Sequence, residues 1–376
     1  MKLAILTWLH NGNYGSILQA YALQRYLRDR GYDVNNIDLN PSVVEKVKNL
    51  FLQHNSFTLF AEKKDAFIAR KACKDKKGML RRQERFKQML NLEFKLTRTF
   101  RKFKDLKMLD GRFDAYICGS DQIWSPMLMC PSYFFDFVSD GRKLIAYACS
   151  LGVSSIPDEK KDKMAYWVNR FQYVSAREQS GCQLLTNIYT GGGVKINVDP
   201  TFLLTEDNWN KITASRLVDG DYLLCYFLSY QPEYWTCVEK IAAKKGWKIV
   251  VIPVTKESYT YKAEVINDVG PKEWLSLVKH AKGVITDSFH GCVFSIIFKK
   301  SFRVFKRFSD DSIKSQNSRV YTLLETYGLE KLLNKKDDYN WYDISESEYA
   351  RITSLKDILA QDSANWLIKA LEQDEK

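Results

Sequence analysis

The residues best suited to chemistry follow a predicted buried strand within residues 284–298. Ser288 can cap the first turn of the helix that the pattern predicts next, which places His290 at the N-terminal end of that helix. Unpaired backbone N–H groups and the positive end of the helix dipole favour a bound phosphate or carboxylate there, and Gly291 lets a ligand approach the backbone closely. These features predict a functional site around His290. The alternative is a histidine that only begins a helix.

Polar residues also follow two predicted strands in the first half of the chain. Asn11 and Asn13 follow the first apolar run, and Asp121 and Gln122 follow a later one. Because ligands collect at the C-terminal ends of parallel strands, we expect these side chains to point into one crevice. The two asparagines equally suit turn and cap positions that bind no ligand.

A basic side chain, Arg177, lies near the end of a further predicted strand at residues 171–178. A guanidinium at such a position can bind a phosphate or carboxylate through two parallel hydrogen bonds. A surface arrangement with the neighbouring Glu178 is the alternative.

Alternating strand and helix patterns position these residues. In the first half, strands are predicted at residues 2–8, 32–39, 113–118, 143–149, 171–178 and 196–204, with a helix at 17–30. In the second half, strands are predicted at 222–228, 248–254, 283–286 and 301–305, with helices at 232–245 and 271–279. The first strand–helix loop has neither a dinucleotide fingerprint nor a P-loop. The pattern predicts an α/β protein with two doubly wound, Rossmann-like domains that face each other across a cleft.

The domain boundaries follow from the same pattern. We place the N-terminal domain at residues 1–205, a linker at 206–220 and the C-terminal domain at 221–340, and we expect helices at 341–376 that pack back on the first domain.

Residues 41–110 are predicted to form a basic helical insertion in the first domain. They contain 19 Lys and Arg against 8 Asp and Glu, and they hold most of the net charge of +12. A solvated helix face, contact with an anionic membrane and binding of a pyrophosphate-linked acceptor all fit this charge. Nucleic acid fits less well, because no recognition motif accompanies the charge.

Composition excludes several classes of protein. A hydrophobic content of 45% excludes a mainly disordered chain. No apolar run approaches the roughly 18 residues of a membrane span, and the N-terminal run lacks a small-residue cleavage site, so we expect no signal peptide. The eight cysteines are scattered without a C-x-x-C pair, which predicts reduced thiols and neither zinc nor disulfides. These features favour a cytoplasmic location.

Eight short motifs together resemble the polysaccharide pyruvyl transferase family. They are NYGSILQAYALQ at 13–24, GSDQIW at 119–124, AYACSLG at 146–152, SARE at 175–178, VDPT at 198–201, VGPKEW at 269–274, DSFHG at 287–291 and Ser318-Arg319. Each motif alone is weak, but all eight occur in the order of the family, between about residue 4 and about residue 330. The basic segment and the residues after 340 carry no such signature.

The resemblance implies a GT-B-like fold and transfer of pyruvate from phosphoenolpyruvate to two hydroxyls of a saccharide, with release of phosphate. It carries the family's histidine over to His290 and its basic residue over to Arg177, while Asp121 is assigned to the acceptor hydroxyls. The donor site is expected to include Arg177, Ser288, Gly291, Ser318 and Arg319, and the acceptor side or cleft Asn11, Asn13, Tyr14, Gly15 and Gln122. Phosphoenolpyruvate is then a co-substrate, and no cofactor or metal is expected.

Two other functions remain open at this point. A glycosyltransferase of the same shape would use a sugar nucleotide in a similar anion-binding cleft, and a basic binding module would use only the segment 41–110. The resemblance favours bacterial surface-polysaccharide or exopolysaccharide biosynthesis. It fits a free or lipid-linked saccharide acceptor and peripheral contact with the inner face of a membrane.

Overall fold

The computed structural model describes residues 1–52, 67–310, 312 and 315–373. The first half of the chain forms a sheet of six parallel strands in the order β2-β1-β3-β4-β5-β6. The strands are β1 Lys2–Leu6, β2 Asp33–Asn36, β3 Ala115–Cys118, β4 Lys143–Cys149, β5 Tyr173–Ala176 and β6 Lys195–Ile196. The helices of this half are α1 Tyr14–Arg28, α2 Val43–Leu52, α3 Lys76–Glu93, α4 Asp158–Val168, α5 Gln179–Thr186 and α6 Glu206–Asn210.

The second half forms a sheet of five parallel strands in the order β11-β10-β7-β8-β9. The strands are β7 Tyr222–Tyr226, β8 Lys248–Val251, β9 Glu264–Val265, β10 Gly283–Thr286 and β11 Phe302–Val304. The helices are α7 Pro232–Lys245, α8 Lys256–Tyr259, α9 Pro271–His280, α10 Phe289–Ile297, α11 Ser318–Tyr327 and α12 Glu346–Glu372. The predicted fold class, two doubly wound α/β units with a helical insertion in the first, is confirmed.

Buried apolar residues of both sheets form one continuous core where α1 meets α9 and α10. Tyr14 is part of this contact: its ring stacks on Trp274 with centroids 5.7 Å apart, and its hydroxyl donates to the carbonyl oxygen of Val269 at 2.9 Å. The prediction that Tyr14 lines the cleft is therefore wrong. Its side chain is fully buried between the two halves because it fills this aromatic contact.

The chain between the two sheets differs from its predicted form. The strand expected at 196–204 ends at Ile196, and a 3-10 turn, Pro200–Leu203, follows. Asp199 caps this turn by accepting from the backbone N–H of Thr201 at 3.0 Å, and proline suits the first position of such a turn. The expected linker at 206–220 contains α6, which begins with a capping box at Thr205.

The C-terminal helix α12 contacts both halves. Near its start, Arg351 donates to the carbonyl oxygen of Tyr327 at 2.6 Å. Near its end, Trp366 packs 6.4 Å from the ring of Tyr147 on β4. No helix in the described part of the chain is long and apolar enough to cross a membrane.

Candidate active site

A cavity opens between the two sheets at the C-terminal ends of β1, β3, β10 and β11. Its empty volume, including space continuous with solvent, is about 610 Å³. Seven of the predicted site residues line it: Asn11, Asn13, Asp121, Gln122, Ser288, His290 and Arg319. The remaining lining residues include Trp8, Asp287, Phe289, Arg307, Gln316 and Asn317. The crevice predicted from strand ends in both halves therefore exists as one space.

The N-terminus of α10 forms one wall of this cavity. Ser288 caps the helix by accepting from the N–H of Gly291 at 3.3 Å. Asp287, the residue before this cap, is held by the loop after β7: its carboxylate accepts from the N–H of Leu228 at 2.6 Å and from that of Ser229 at 2.9 Å. Among the described residues, no group accepts from the backbone N–H of His290. The helix end therefore offers the cavity a positive partial charge and a free N–H donor.

His290 is nearly buried at this helix start, with 6% of its surface exposed. Its Nε2 lies 3.4 Å from Oδ2 of Asp199 but makes no hydrogen bond, because the two groups are not aligned for one. The imidazole rests on Gly15, where an added Cβ would lie 2.0 Å from its Nδ1. Gly15 was predicted to line the cleft. In the structure it instead allows α1 to approach α10 closely, because a larger residue would collide with the imidazole.

Asp199 brings His290 and Arg177 together although they come from different halves of the chain. It is fully buried, and its Oδ2 accepts from Nη1 of Arg177 at 2.6 Å. Its Oδ1 accepts from the hydroxyl of Thr201 at 2.8 Å. Burial alone would raise the pKa of Asp199, but the adjacent His290 and Arg177 hold this pKa below its ordinary value.

Arg177, which was predicted to bind the donor, does not line the main cavity. Its side chain is 1% exposed and lies within ion-pair distance of three carboxylates: Asp199, Asp121 at 3.5 Å and Glu178 at 3.8 Å. Glu178 is itself fully buried and accepts from the N–H of Leu151 at 2.9 Å. The guanidinium is therefore occupied by internal anions, and one of them, Asp121, borders the cavity.

Asp121 is the carboxylate of this network that reaches the cavity. Its backbone has a φ of 75°, which is uncommon for a residue with a side chain and often marks a functional site. Its Oδ2 accepts from the hydroxyl of Ser16, which in turn accepts from Nδ2 of Asn11 at 2.8 Å. This chain of hydrogen bonds orients Asp121 towards the space between the sheets.

Two arginines of the second half supply positive charge to the cavity. Within the described residues, neither Arg307 nor Arg319 has a carboxylate within ion-pair distance. Of the groups that the structure describes, only Gln316 accepts from Arg319, through its side-chain oxygen at 2.9 Å and its carbonyl oxygen at 3.3 Å. Burial, and then repulsion by Arg177, lowers the pKa of Arg319 to about 9. Such a group is stabilised by an anion that approaches it from the cavity.

Two further predicted site residues lie outside the cavity. Gly291 packs against Thr286, where an added Cβ would lie 2.6 Å from Oγ1 of the threonine. Ser318 begins α11, and its hydroxyl is buried without a hydrogen-bond partner in the described chain. Both support the walls of the site rather than face its interior.

Sequence reasoning missed the central role of Asp199. The signal available was its position before Pro200 at the end of a predicted strand, where an Asp can cap a turn. Arg307, Gln316 and Asn317 were also missed, because no motif distinguishes them and only the fold brings them to the cavity.

The buried pair of Asp199 and Arg177 predicts a pH dependence of stability. Because the pKa of Asp199 is lower in the native state than the roughly 3.9 of an unfolded chain, the native state binds fewer protons. The free energy of unfolding should therefore fall as the pH drops below about 5. Urea unfolding at several pH values should show a weaker dependence in Asp199→Asn. Asp140→Asn, whose side chain is 94% exposed, should keep the wild-type profile, and identical profiles for both variants would contradict the prediction.

Comparison with known structures identifies the fold. The chain is similar to a protein described as UDP-N-acetylglucosamine 2-epimerase from Listeria monocytogenes, at 10% identity and a TM-score of 0.51, over 98% of this chain and 91% of that one. It is also similar to UDP-GlcNAc 2-epimerase from Neisseria meningitidis, at 10% identity and a TM-score of 0.48, over 98% of this chain and 100% of that one. The similarity to the Listeria monocytogenes protein concerns the fold alone, which is the GT-B fold.

Comparison of the sequence identifies the family. A search of curated proteins gave no significant match. The model of the polysaccharide pyruvyl transferase family, however, matches residues 13–310. This match includes every strand of the two sheets except β1, and most of the residues that line the cavity between them. The chain therefore belongs to the polysaccharide pyruvyl transferase family.

Proposed function

We propose that this protein transfers pyruvate from phosphoenolpyruvate to two hydroxyls of a saccharide, which forms a cyclic ketal and releases phosphate. The observation that carries the proposal is the composition of the cavity. A buried histidine at a helix N-terminus lies beside two arginines that have no carboxylate partner in the described chain. A small donor with a carboxylate and a phosphate would satisfy these positive groups.

The reaction balances without any change of oxidation state. Protonation of C3 of phosphoenolpyruvate makes C2 electrophilic, and the first hydroxyl adds to C2 and gives up its proton. The C2–O bond to phosphate then breaks, and the second hydroxyl closes the ring and loses its proton. The two protons from the hydroxyls balance the one gained by C3 and the one taken by phosphate. The site must therefore supply an acid, positive charge near the leaving phosphate and a base.

We assign the acid to His290. Its Nε2 lies 3.4 Å from Oδ2 of Asp199, and its ring borders the cavity in which the donor would bind. In this mechanism the imidazole gives a proton to C3 of the donor. Asp199, 3.4 Å from Nε2, acts as a positioning residue that sets the orientation of the histidine.

The other roles follow from position. Arg307, Arg319 and the N-terminus of α10 bind the anionic groups of the donor. Asp121 borders the same cavity from the first half and takes a proton from an acceptor hydroxyl. Arg177 holds Asp121 and Asp199 in place and does not touch the donor. The sequence led us to expect that Arg177 binds the donor. We assign it a supporting role instead, because its guanidinium is already paired with carboxylates.

The substitution Gly15→Ala tests the position of the imidazole. The added methyl group would overlap Nδ1 of His290, and displacement of a catalytic group by about 1 Å lowers activity by about 10²-fold. We expect this loss in the rate of ketal formation while phosphoenolpyruvate binding is largely kept. Gly193→Ala is the control, because nothing lies within 4 Å of a Cβ added there. Equal activity of the two variants would show that His290 can act from elsewhere.

Ligand-induced stabilisation separates this function from a sugar-nucleotide glycosyltransferase. Phosphoenolpyruvate should raise the melting temperature by mass action, whereas UDP- and GDP-sugars should not. Arg319→Gln should weaken phosphoenolpyruvate binding by about tenfold or more. Arg142→Gln, at a side chain 47% exposed, should leave it unchanged. Stabilisation by a sugar nucleotide and none by phosphoenolpyruvate would favour the glycosyltransferase.

The proposed setting is bacterial surface-polysaccharide biosynthesis in the cytoplasm. Family membership supports polysaccharide biosynthesis in general. Peripheral contact with a membrane through the basic insertion is part of the proposal.

A further inference from the structure

A second cavity lies beside the first and has not been assigned a role. Its empty volume, including space continuous with solvent, is about 1150 Å³. Asn11 belongs to the walls of both cavities. A molecule in the second cavity can therefore extend past Asn11 towards the donor.

One face of α3, in the basic insertion, forms a wall of this second cavity. The wall residues follow helical spacing and are Met79, Arg82, Gln83, Phe86, Lys87 and Leu90. A different face of α3 binds the second half of the chain: Arg81 lies 3.2 Å from Asp268, and Arg85 lies 3.5 Å from Glu273. The helix is therefore fixed by ion pairs on one side and presents another side to the cavity.

The basic residues on the cavity side lack such partners. Within the described residues, Arg70, Arg82 and Lys87 have no carboxylate within ion-pair distance. Arg82 donates to the carbonyl oxygen of Pro253 at 2.9 Å and lies 5.0 Å from the ring centroid of Tyr14. Three cations thus face one cavity without a neutralising carboxylate in the described part of the chain, and a bound anion would be stabilised there.

The rest of the wall suits a sugar. Phe86 and Tyr259 provide aromatic surface, which can pack against the apolar face of a sugar ring. His10 adds a polar side chain whose Nε2 is bonded to Asp38, a carboxylate that also accepts from the hydroxyl of Thr99. Its other ring nitrogen is left to contact a hydroxyl.

We propose that this second cavity is the acceptor site and that it takes a saccharide bearing an anionic group, either a phosphate ester or a carboxylate. Arg70, Arg82 and Lys87 bind the anion, while the sugar hydroxyls extend past Asn11 towards the donor. This inference rests on the proposed function and defines the substrate class of the same enzyme. It also gives a role to part of the basic insertion.

Calorimetric titration of the full chain tests the proposal with three probes: α-D-glucose 1-phosphate, D-glucuronic acid and methyl α-D-glucopyranoside. The titrations are run with and without phosphoenolpyruvate, so that binding to the donor site can be recognised. We expect at least one anionic probe to bind about tenfold or more tightly than the neutral glycoside. The preferred probe distinguishes a phosphorylated acceptor from an acidic sugar.

A matched pair of double variants assigns the binding to the cavity. Arg70→Gln with Lys87→Gln should remove the preference for the anion. Lys74→Gln with Lys77→Gln removes the same charge from the same segment outside the cavity and should keep the preference. Equal binding of neutral and anionic probes, or equal loss in both double variants, would overturn the proposal.

Binding of phosphoenolpyruvate and binding of the anionic probes test the proposed function and this inference separately. If phosphoenolpyruvate still raises the melting temperature but no anionic preference is found, the acceptor assignment is wrong and the donor assignment stands. If the anionic probe binds at the cavity but phosphoenolpyruvate does not bind, the proposed function is wrong.

Discussion

Replacement of His290 by alanine should lower the rate of ketal formation by about 10²–10⁴-fold, the usual effect of removing a general acid. The imidazole lines the cavity, and its Nε2 lies 3.4 Å from Oδ2 of Asp199. Of the histidines that the structure describes, no other lines this cavity and could protonate C3 of the donor. The rate is measured as phosphate release in the presence of an acceptor.

His280→Ala is the matched control, because His280 lies on α9 away from the cavity and its Nδ1 bonds to the carbonyl of Ser276 at 2.9 Å. This variant should keep the wild-type rate. Melting temperatures of both variants show whether the fold is intact. A His290→Ala protein that folds, binds phosphoenolpyruvate and forms ketal at nearly the wild-type rate would exclude the histidine as the acid.

Substitution of Arg177 by methionine should have the largest effect on stability. The guanidinium neutralises Asp199, Asp121 and Glu178, all of them buried, and its removal leaves these carboxylates uncompensated. Breaking a buried ion pair by removing one partner lowers the free energy of unfolding by about 3–5 kcal/mol. Urea denaturation at neutral pH measures this loss.

The exposed pair of Arg25 and Asp29, 2.9 Å apart, provides the comparison. Arg25→Met should change the free energy of unfolding by no more than about 1 kcal/mol, because solvent screens such a pair. Adding Asp199→Asn to Arg177→Met should recover part of the lost stability, since one buried charge is then removed. Equal losses in the two single arginine variants would show that the buried network contributes little.

Local patterns were enough to predict most of the fold and one wall of the site. The apolar run at 283–286 and the cap at Ser288 are features of adjacent residues, so β10, α10 and the position of His290 could be inferred directly. The ends of β1 and β3 likewise placed Asn11 and Asp121 at the cavity. Each of these predictions depends only on strand order and side-chain type.

The parts that failed depend on contacts between distant segments. Arg177 does follow a strand as predicted, but its direction is set by its ion pair with Asp199, the residue that caps the 3-10 turn Pro200–Leu203. Tyr14 lies in a motif of the first half, yet Trp274 of the second half buries it. Such pairings are decided by how the two sheets pack together, and a single sequence does not encode them in any local pattern.

Mass spectrometry of glycans incubated with phosphoenolpyruvate tests the central claim most directly. The proposed function predicts that wild-type protein gives a glycan heavier by one carboxyethylidene group, with one phosphate released for each product. The His290→Ala protein should give almost none. Transfer of a sugar from a UDP- or GDP-sugar to a glycan, with phosphoenolpyruvate left unconsumed, would contradict it.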